Sequence, residues 1–292
     1  MNDIAIIGYF GWYGSICEWV ADAFENLVYE VTRYDRKLLP NIGTDHQLYV
    51  FVDCSEDYSS NIPNLKGYKV FWSMDSGMPG GVERSTNIGR KCDLVFSSNQ
   101  EQGVDLLKKF GIDSYLLPVT YSTNLIMDTF KFKKCKDVAM VGNPNSPQRI
   151  ELWNLLKSNY TGFVGRAEIR DEYVKAFGEA KIVINQPTEP FDNILNNRFF
   201  EGMACGALVL QKMLRTTLIE DLGFEHGKDF IYWNDFPELI KLIDYYRYHK
   251  NNLERLAITQ NGFRKVTNLS MTNQVKKMLK TINDRTKVTG LR

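Results

Sequence analysis

Short apolar runs alternate with longer helical patterns through the first half of the chain. The runs that fit strands, rich in apolar, β-branched and aromatic residues, are 4–8, 48–52, 70–73, 94–97 and 115–117. Helical patterns fit residues 15–27 and 100–110. Strands that alternate with helices in this way are typical of a parallel sheet covered by helices.

The same alternation restarts in the second half. Strands are predicted at 138–141, 162–164, 182–185, 207–210 and 230–233, and helices at 147–158, 170–180, 197–205, 216–222 and 237–249. The segment 119–136 is polar and basic, and the tail 251–284 has the pattern of two helices. We therefore predict an α/β protein with domains at 1–122 and 137–265, a linker at 123–136, and a C-terminal helix within 266–292 that packs back on the first domain.

Composition agrees with two domains of ordinary size. The chain has 292 residues, of which 43% are hydrophobic and 24% charged, as in globular proteins. The formal net charge is +1, so the chain has no global basic field for nucleic acid, although a local basic groove is compatible with it.

Cysteine and histidine usage bears on location and on metals. Five scattered cysteines without a Cys-x-x-Cys favour reduced thiols in a cytoplasmic protein. The chain lacks a signal-peptide pattern, and no apolar run reaches the ~18–20 residues of a membrane span. Three dispersed histidines and the lack of an Asp-x-Asp predict neither a metal site nor a cofactor.

The most informative stretch is 196–210, which follows the predicted strand at 182–185. It predicts a short helix that carries Arg198 and Glu201 near its start and small residues along its length. A helix start at the carboxyl end of a parallel sheet attracts anions, because free backbone N–H groups and the helix dipole point there. A glutamate one turn in can accept hydrogen bonds from a ribose diol. This combination suits a nucleoside diphosphate.

Several spaced features of the second half occur in the order of a known motif. They are Val141-Gly142, Arg149, Gly165, Tyr173, Asn185, Arg198-Phe199-Phe200-Glu201 and Gly206-Ala207. This order resembles the nucleotide-sugar motif of GT-B glycosyltransferases, especially the spore-maturation-protein-like branch of the group 1 family, over residues 137–270. The resemblance implies two Rossmann-like α/β domains facing across a cleft, with a nucleoside diphosphate sugar, such as a UDP-sugar, on the second domain.

The resemblance also implies donor-binding roles. Gly142 and Asn143 lie in a loop that approaches the nucleotide phosphates, and Arg149 and Arg198 neutralise the leaving diphosphate. Gly165 flanks the base, Phe199 belongs to the donor-binding helix, and Glu201 binds the ribose. Asn193 stands where many members carry the first glutamate of Glu-x7-Glu. Two alternatives remain open: Arg149 as a surface arginine, and Arg198 as an ion-pair partner of Glu201.

A glycine-rich loop follows the first predicted strand. Within it, Gly11, Trp12 and Tyr13 are candidates for the acceptor side, because glycines let a ligand touch backbone and aromatic faces stack on sugars or bases. An ordinary turn with core aromatics explains the segment equally well. The rival is a nicotinamide-dependent enzyme in which Asp35 binds a ribose, but the glycine spacing is not that of dinucleotide binders.

Asp75 follows the predicted strand at 70–73 and is the candidate catalytic residue. A carboxylate at that position can act as general base on an acceptor hydroxyl. The alternative is a turn-capping aspartate ahead of the glycines at 77, 80 and 81.

These observations predict a metal-independent glycosyltransferase that moves a sugar from a nucleoside diphosphate to a hydroxyl of a glycan, a protein or a modified DNA base. The retained alternatives are an enzyme for modified bases of phage DNA, a non-catalytic nucleotide- or sugar-binding relative, and an NAD-dependent oxidoreductase. The donor sugar, the acceptor and the anomeric outcome are left open by the sequence.

Overall fold

The structure is a computed structural model that describes residues 2–10, 15–36, 42–53, 55–167, 169–187 and 194–289. The chain forms two compact units. Unit 1 comprises Met1–Val119 and Met271–Arg292, and unit 2 comprises Thr120–Ser270.

Unit 1 is built on a parallel sheet of six strands in the order β2-β1-β3-β4-β5-β6. Its first 119 residues contain β1 (Asp3–Gly8), α1 (Ile16–Glu25), β2 (Glu30–Asp35), β3 (Leu48–Val52), β4 (Tyr68–Ser73), α2 (Gly81–Gly89), β5 (Leu94–Ser97), α3 (Leu106–Lys109) and β6 (Tyr115–Leu116). All five residues of β3 are buried, as expected for a central strand with both faces covered.

Unit 2 is built on a parallel sheet of five strands in the order β11-β10-β9-β7-β8. It contains α4 (Thr123–Thr129), β7 (Lys136–Val141), α5 (Pro147–Asn159), β8 (Gly162–Gly165), α6 (Arg170–Glu179), β9 (Ala180–Asn185), α7 (Arg198–Ala204), β10 (Leu208–Lys212), α8 (Leu218–Asp221), β11 (Ile231–Trp233), α9 (Phe236–Arg247) and α10 (Asn252–Val266). Its sheet buries Val138, Ile182 and Leu208 among the core side chains.

The last helix of the chain, α11 (Met271–Thr289), belongs to unit 1, where it packs on α1. Three of its apolar side chains, Val275, Met278 and Ile282, are almost completely buried. Their spacing of three and four residues places them on one face of the helix.

Each sheet has a point where the strand order reverses. In unit 1 the first strand, β1, lies between β2 and β3, and in unit 2 β7 lies between β8 and β9. The carboxyl ends of the strands on either side of such a point form the crevice in which open α/β sheets bind ligands. The loops after β1 and β3 in unit 1, and after β7 and β9 in unit 2, are therefore the places to look for sites.

The structure differs from the sequence-based expectations in three elements. The segment 123–136, expected to be a linker, contains α4, which packs on α6 within unit 2. Helix α2 was not predicted, because its sequence is polar and carries a glycine at each end. The predicted helix at 100–110 begins with a π-helical turn, Gln100–Asp105, before it continues as α3. Such turns are rare and are frequent at functional sites.

Short 3₁₀ turns at Ile62–Asn64, His249–Asn251 and Thr267–Leu269 complete the regular structure. Of the helices within the described residues, none combines the length and the apolar character that crossing a bilayer would require.

Candidate functional site

The predicted donor helix is α7 of unit 2, and its first turn is stabilised by an asparagine. The side-chain oxygen of Asn196 accepts a hydrogen bond from the backbone N–H of Arg198 at 3.0 Å. This bond satisfies one of the free N–H groups at the helix start. The side chain of Arg198 is partly buried, with 19% of its surface exposed.

Glu201 lies one turn into α7, and its side chain has no exposed surface. Its Oε1 accepts hydrogen bonds from the Tyr173 hydroxyl at 2.7 Å and from the Asn197 amide at 3.3 Å. Its Oε2 lies 3.7 Å from Nε of Arg198 and accepts no hydrogen bond within the described part of the chain. One carboxylate oxygen is thus held by the protein itself, and the other faces the arginine.

Burial dominates the electrostatics of this cluster. It raises the pKa of Glu201 to about 7, although Arg198 and the donors Tyr173 and Asn197 act in the opposite direction. Removing a carboxylate from water disfavours its charged form, and only partners that stabilise the charge offset that cost. The Tyr173 hydroxyl and the Arg198 guanidinium therefore stabilise the ionised form of Glu201 at neutral pH.

Arg149 lies on α5, whose start is capped by the Ser146 hydroxyl accepting from the Arg149 N–H at 3.3 Å, with a proline at the first helical position. The Arg149 side chain folds back over Gly142. A Cβ on Gly142 would lie 2.3 Å from Nη2 of Arg149, and the φ angle of Gly142 is 155°. Only glycine leaves the space that the guanidinium occupies.

Arg149 and Arg198 are close enough to influence each other. Burial, together with the positive charge of Arg198, lowers the pKa of Arg149 to about 10. Like charges held together in this way repel each other, so an anion placed beside them would relieve the repulsion.

The remaining predicted donor residues lie around the same strand ends. The N–H of Gly142 donates to the carbonyl of Gly165 at 3.0 Å, which ties the loop after β7 to the end of β8. Asn143 is exposed in that loop, and Gly165 is buried. Asn193 lies outside the described residues.

Phe199 lies in the first turn of α7. Its side chain is completely buried, and its ring packs edge-to-face against Phe200, Phe224 and Phe230 with centroid separations of 5.2–5.4 Å. The ring therefore supports α7 from the core, and a contact between Phe199 and the donor stays a prediction.

In unit 1, the predicted acceptor-side residues Gly11, Trp12 and Tyr13 lie outside the described residues. Two hydrogen bonds hold the backbone directly before these residues. The N–H of Tyr9 donates to the Cys17 sulfur at 3.2 Å, and the N–H of Phe10 donates to Oδ2 of Asp35 at 3.2 Å. Asp35, the ribose ligand of the nicotinamide alternative, thus has one oxygen engaged by the protein backbone.

Asp75 lies two residues after the end of β4, in a loop whose backbone is held by the carboxylate of Asp53. Oδ2 of Asp53 accepts the backbone N–H groups of Met74 at 3.2 Å and of Asp75 at 3.1 Å. Within the described residues the Asp75 carboxyl itself accepts no hydrogen bond, so it does not cap the turn. Burial and, to a smaller extent, the nearby charge of Asp53 raise its pKa to about 6, against the opposing effect of Arg84.

Sequence reasoning missed Asp53 and Asn197. Asp53 follows β3 just as Asp75 follows β4, so the rule that places ligands at the carboxyl ends of strands could have identified it. Tyr173 appeared in the motif, but nothing in the sequence indicated that its hydroxyl would bond to Glu201. Within the part of the chain that the structure describes, no group of three or more His, Cys, Asp and Glu side chains could hold a metal ion.

A family model described as glycosyl transferase-like matches residues 133–280. The matched region contains α5, α7 and the cluster around Glu201. A comparison with curated proteins finds no match.

Solved structures resemble the chain over nearly its whole length at low identity. HepE from Anabaena, crystallised with UDP, is 13% identical with a TM-score of 0.66, and the match covers 97% of this chain and 100% of that one. A glycosyltransferase from Rickettsia africae is 12% identical with a TM-score of 0.64, covering 97% and 99%. Sucrose-phosphate synthase from Thermosynechococcus elongatus is 11% identical with a TM-score of 0.58, covering 98% and 100%. Two parallel-sheet α/β units with these neighbours confirm the predicted GT-B fold.

Proposed function

The chain belongs to the glycosyl transferase-like family, and from this premise we propose that it transfers a sugar from a uridine diphosphate donor to an acceptor hydroxyl. The acceptor is a hydroxyl of a glycan, a protein or a modified DNA base. Within the family we place the chain in the spore-maturation-protein-like branch, acting in the cytoplasm.

The observation that carries this proposal is the arginine pair of unit 2. Arg149 lies in the first turn of α5 and its side chain is held over Gly142, which follows β7; Arg198 begins α7 after β9. Both helices start from the loops at the reversal point of the sheet. Guanidinium groups bind phosphate oxygens with paired N–H donors. We assign the diphosphate of the donor to these two side chains and to the loop containing Gly142 and Asn143.

In this proposal Glu201 binds the ribose through only one of its two carboxylate oxygens. Its Oε1 is engaged by Tyr173 and Asn197, which leaves Oε2 as the acceptor for a ribose hydroxyl. The same carboxylate holds Arg198 by their ion pair. The crystallisation of HepE with UDP and with UDP-glucose supports a uridine nucleotide as the donor.

The proposed step needs a leaving group and a base. The acceptor oxygen forms a bond to the anomeric carbon while the bond from that carbon to the diphosphate oxygen breaks. The diphosphate leaves with the electron pair, and the arginines stabilise its growing charge without a metal ion. The proton of the acceptor hydroxyl goes to Asp75, whose pKa of about 6 suits a base at neutral pH.

Differential scanning fluorimetry tests the donor assignment. In EDTA, UDP should raise the melting temperature and NAD should not, because only a ligand of the folded state stabilises it. Arg198→Ala should weaken UDP binding at least ~10-fold by calorimetry, the scale of one charged hydrogen-bonding group. The control is Lys157→Ala, an exposed lysine of α5, which should bind as the unmodified protein does.

Stabilisation by NAD alone would contradict the proposal, as would a UDP response that disappears in EDTA. If UDP binds but UDP-sugars are neither transferred nor hydrolysed, the chain is a non-catalytic relative.

A further inference from the structure

Asp53 lies where β3 ends, at the reversal point of the sheet of unit 1, and its side chain is completely buried. Oδ2 accepts the N–H groups of Met74 and Asp75, and Oδ1 accepts Nε of Arg84 at 3.2 Å and Nη2 of Arg84 at 3.0 Å. A buried carboxylate is stable only when its oxygens are engaged in this way. Asp53 therefore connects three elements, because β3, the loop after β4 and α2 meet at one side chain.

Asp75, in the same place, is arranged differently. Its N–H is held by Asp53, but its carboxyl accepts no hydrogen bond from the described residues. The charged groups that act on it are Asp53 and Arg84. A fixed backbone with an unengaged carboxyl is the arrangement required of a group that must meet an incoming hydroxyl.

The ion pair of Arg84 gives Asp53 and Asp75 different roles. Its side chain is 12% exposed and its guanidinium is directed at Asp53 through two nitrogens. An arginine paired with Asp75 instead would stabilise the charged form of that carboxyl and would occupy the oxygens that a substrate needs. By binding Arg84, Asp53 keeps the guanidinium away from Asp75.

We propose that Asp53 is the positioning residue of the acceptor side: it clamps the backbone of Met74 and Asp75 and sequesters Arg84, so that the Asp75 carboxyl stays free for the acceptor hydroxyl. Asp53 itself does not touch substrate, because its oxygens are used within the protein. This inference rests on the proposed function for the role of Asp75, and adds to it the residue through which that role is established.

The charges around Asp75 predict opposite effects for two substitutions. Asp53→Asn removes a negative charge and releases Arg84 toward Asp75, so the pKa of Asp75 should fall by about 1 or more. Arg84→Gln removes the positive charge and should raise that pKa. A residue that mattered only for folding would not shift the pKa in opposite directions in the two variants.

The test is a carbon-13 NMR titration of the aspartate carboxyl groups in the full chain, with the Asp75 signal identified by its loss in Asp75→Asn. The double variant, Asp53→Asn with Arg84→Gln, loses both charges, and its Asp75 pKa should lie between those of the two single variants. It also keeps the test available if an unpaired charge prevents one single variant from folding. The control is Asp57→Asn, an exposed aspartate of the same segment, which should leave the Asp75 titration unchanged.

Turnover measurements complete the test. If UDP-sugar is transferred, Asp53→Asn should lower kcat at pH 7 by roughly 10²-fold, within the contribution of a positioned general base, and move the acid limb of the pH profile to lower pH, with unchanged donor affinity. A pKa of Asp75 that stays the same, or that moves in the same direction in both single variants, overturns the inference. Because the titration uses no substrate, its outcome is separate from that of the UDP-binding experiment, on which the proposed function depends.

Discussion

At the scale of single residues, both candidate sites depend on buried carboxylates whose partners decide what they can do. Glu201 is held by Tyr173 and Asn197 and faces Arg198, whereas Asp53 is held by Arg84 and by the backbone N–H groups of Ser55, Met74 and Asp75. A buried carboxylate without such partners would take up a proton or destabilise the fold. The partners of each carboxylate therefore determine whether it is available to a ligand.

Tyr173→Phe should destabilise the protein in a pH-dependent way. It removes a hydrogen bond to a buried carboxylate and should lower the free energy of unfolding by about 1–3 kcal/mol at pH 8. The pKa of Glu201, about 7, lies above its ordinary 4.5, so the folded state binds the carboxyl proton more tightly than the unfolded state does. Proton binding therefore stabilises the fold, and this contribution is lost as the pH rises from 4.5 through 7. Losing Tyr173 raises that pKa further, so the destabilisation should be smaller at pH 5.

Urea denaturation at the two pH values measures the difference. The control is Tyr245→Phe, which removes a tyrosine–glutamate bond of the same length, 2.7 Å, at an exposed position and should change stability little at either pH. An equal loss at pH 5 and pH 8 for Tyr173→Phe would mean that its hydroxyl does not stabilise the charged form of Glu201.

At the scale of elements, the loop after β7 and the start of α5 together position the Arg149 side chain. Gly142 turns the chain, Ser146 caps the helix, and Arg149 folds back into the space that the missing Cβ leaves. The position of the guanidinium thus depends on a residue seven positions earlier that makes no side-chain contact of its own. We expect this loop to tolerate no side chain at Gly142.

Gly142→Ala should weaken UDP binding by about 10-fold, since the new Cβ displaces the guanidinium by which we expect the diphosphate to be bound. The control is Gly223→Ala, also in unit 2, where φ is 84° but no atom lies within 4 Å of the added Cβ. That substitution carries only the strain of a left-handed residue, about 1–2 kcal/mol of stability, and should leave UDP affinity unchanged. Equal UDP affinity in the two variants, measured by calorimetry, would show that donor binding does not depend on Gly142.

At the scale of the whole molecule, the chain leaves unit 1 at residue 119, builds unit 2, and returns to unit 1 as α11. The returning helix supplies buried side chains to the first core, including Met278, which has no exposed surface. Unit 1 therefore completes its core only when the end of the chain is present, although its sheet is made from the first 119 residues.

Met278→Ala should cost about 2–5 kcal/mol of unfolding free energy, from lost burial and from the cavity left behind. Its neighbour Lys277 is exposed on the same helix, so Lys277→Ala should have little effect. Chemical denaturation followed by circular dichroism measures both variants. A Met278→Ala protein as stable as Lys277→Ala would show that α11 does not contribute to the core of unit 1.

The sequence alone determined the alternation of strands and helices, the existence of two α/β halves and the helix carrying Arg198 and Glu201. These follow from local periodicity, which reflects which face of each element is buried. Helices α2 and α4 were missed, because α2 is polar with a glycine at each end and α4 is only seven residues long.

Only the tertiary structure decided which polar groups meet. Tyr173 and Glu201 are 28 residues apart, and Asp53 and Asp75 are 22 apart, yet each pair is joined by one hydrogen bond. Parallel strands bring their carboxyl ends to one edge of the sheet, but side-chain direction and burial select the partners there. Burial likewise placed Phe199 in the core, because its ring fits among three other phenylalanines, a fact with no local signature in the sequence.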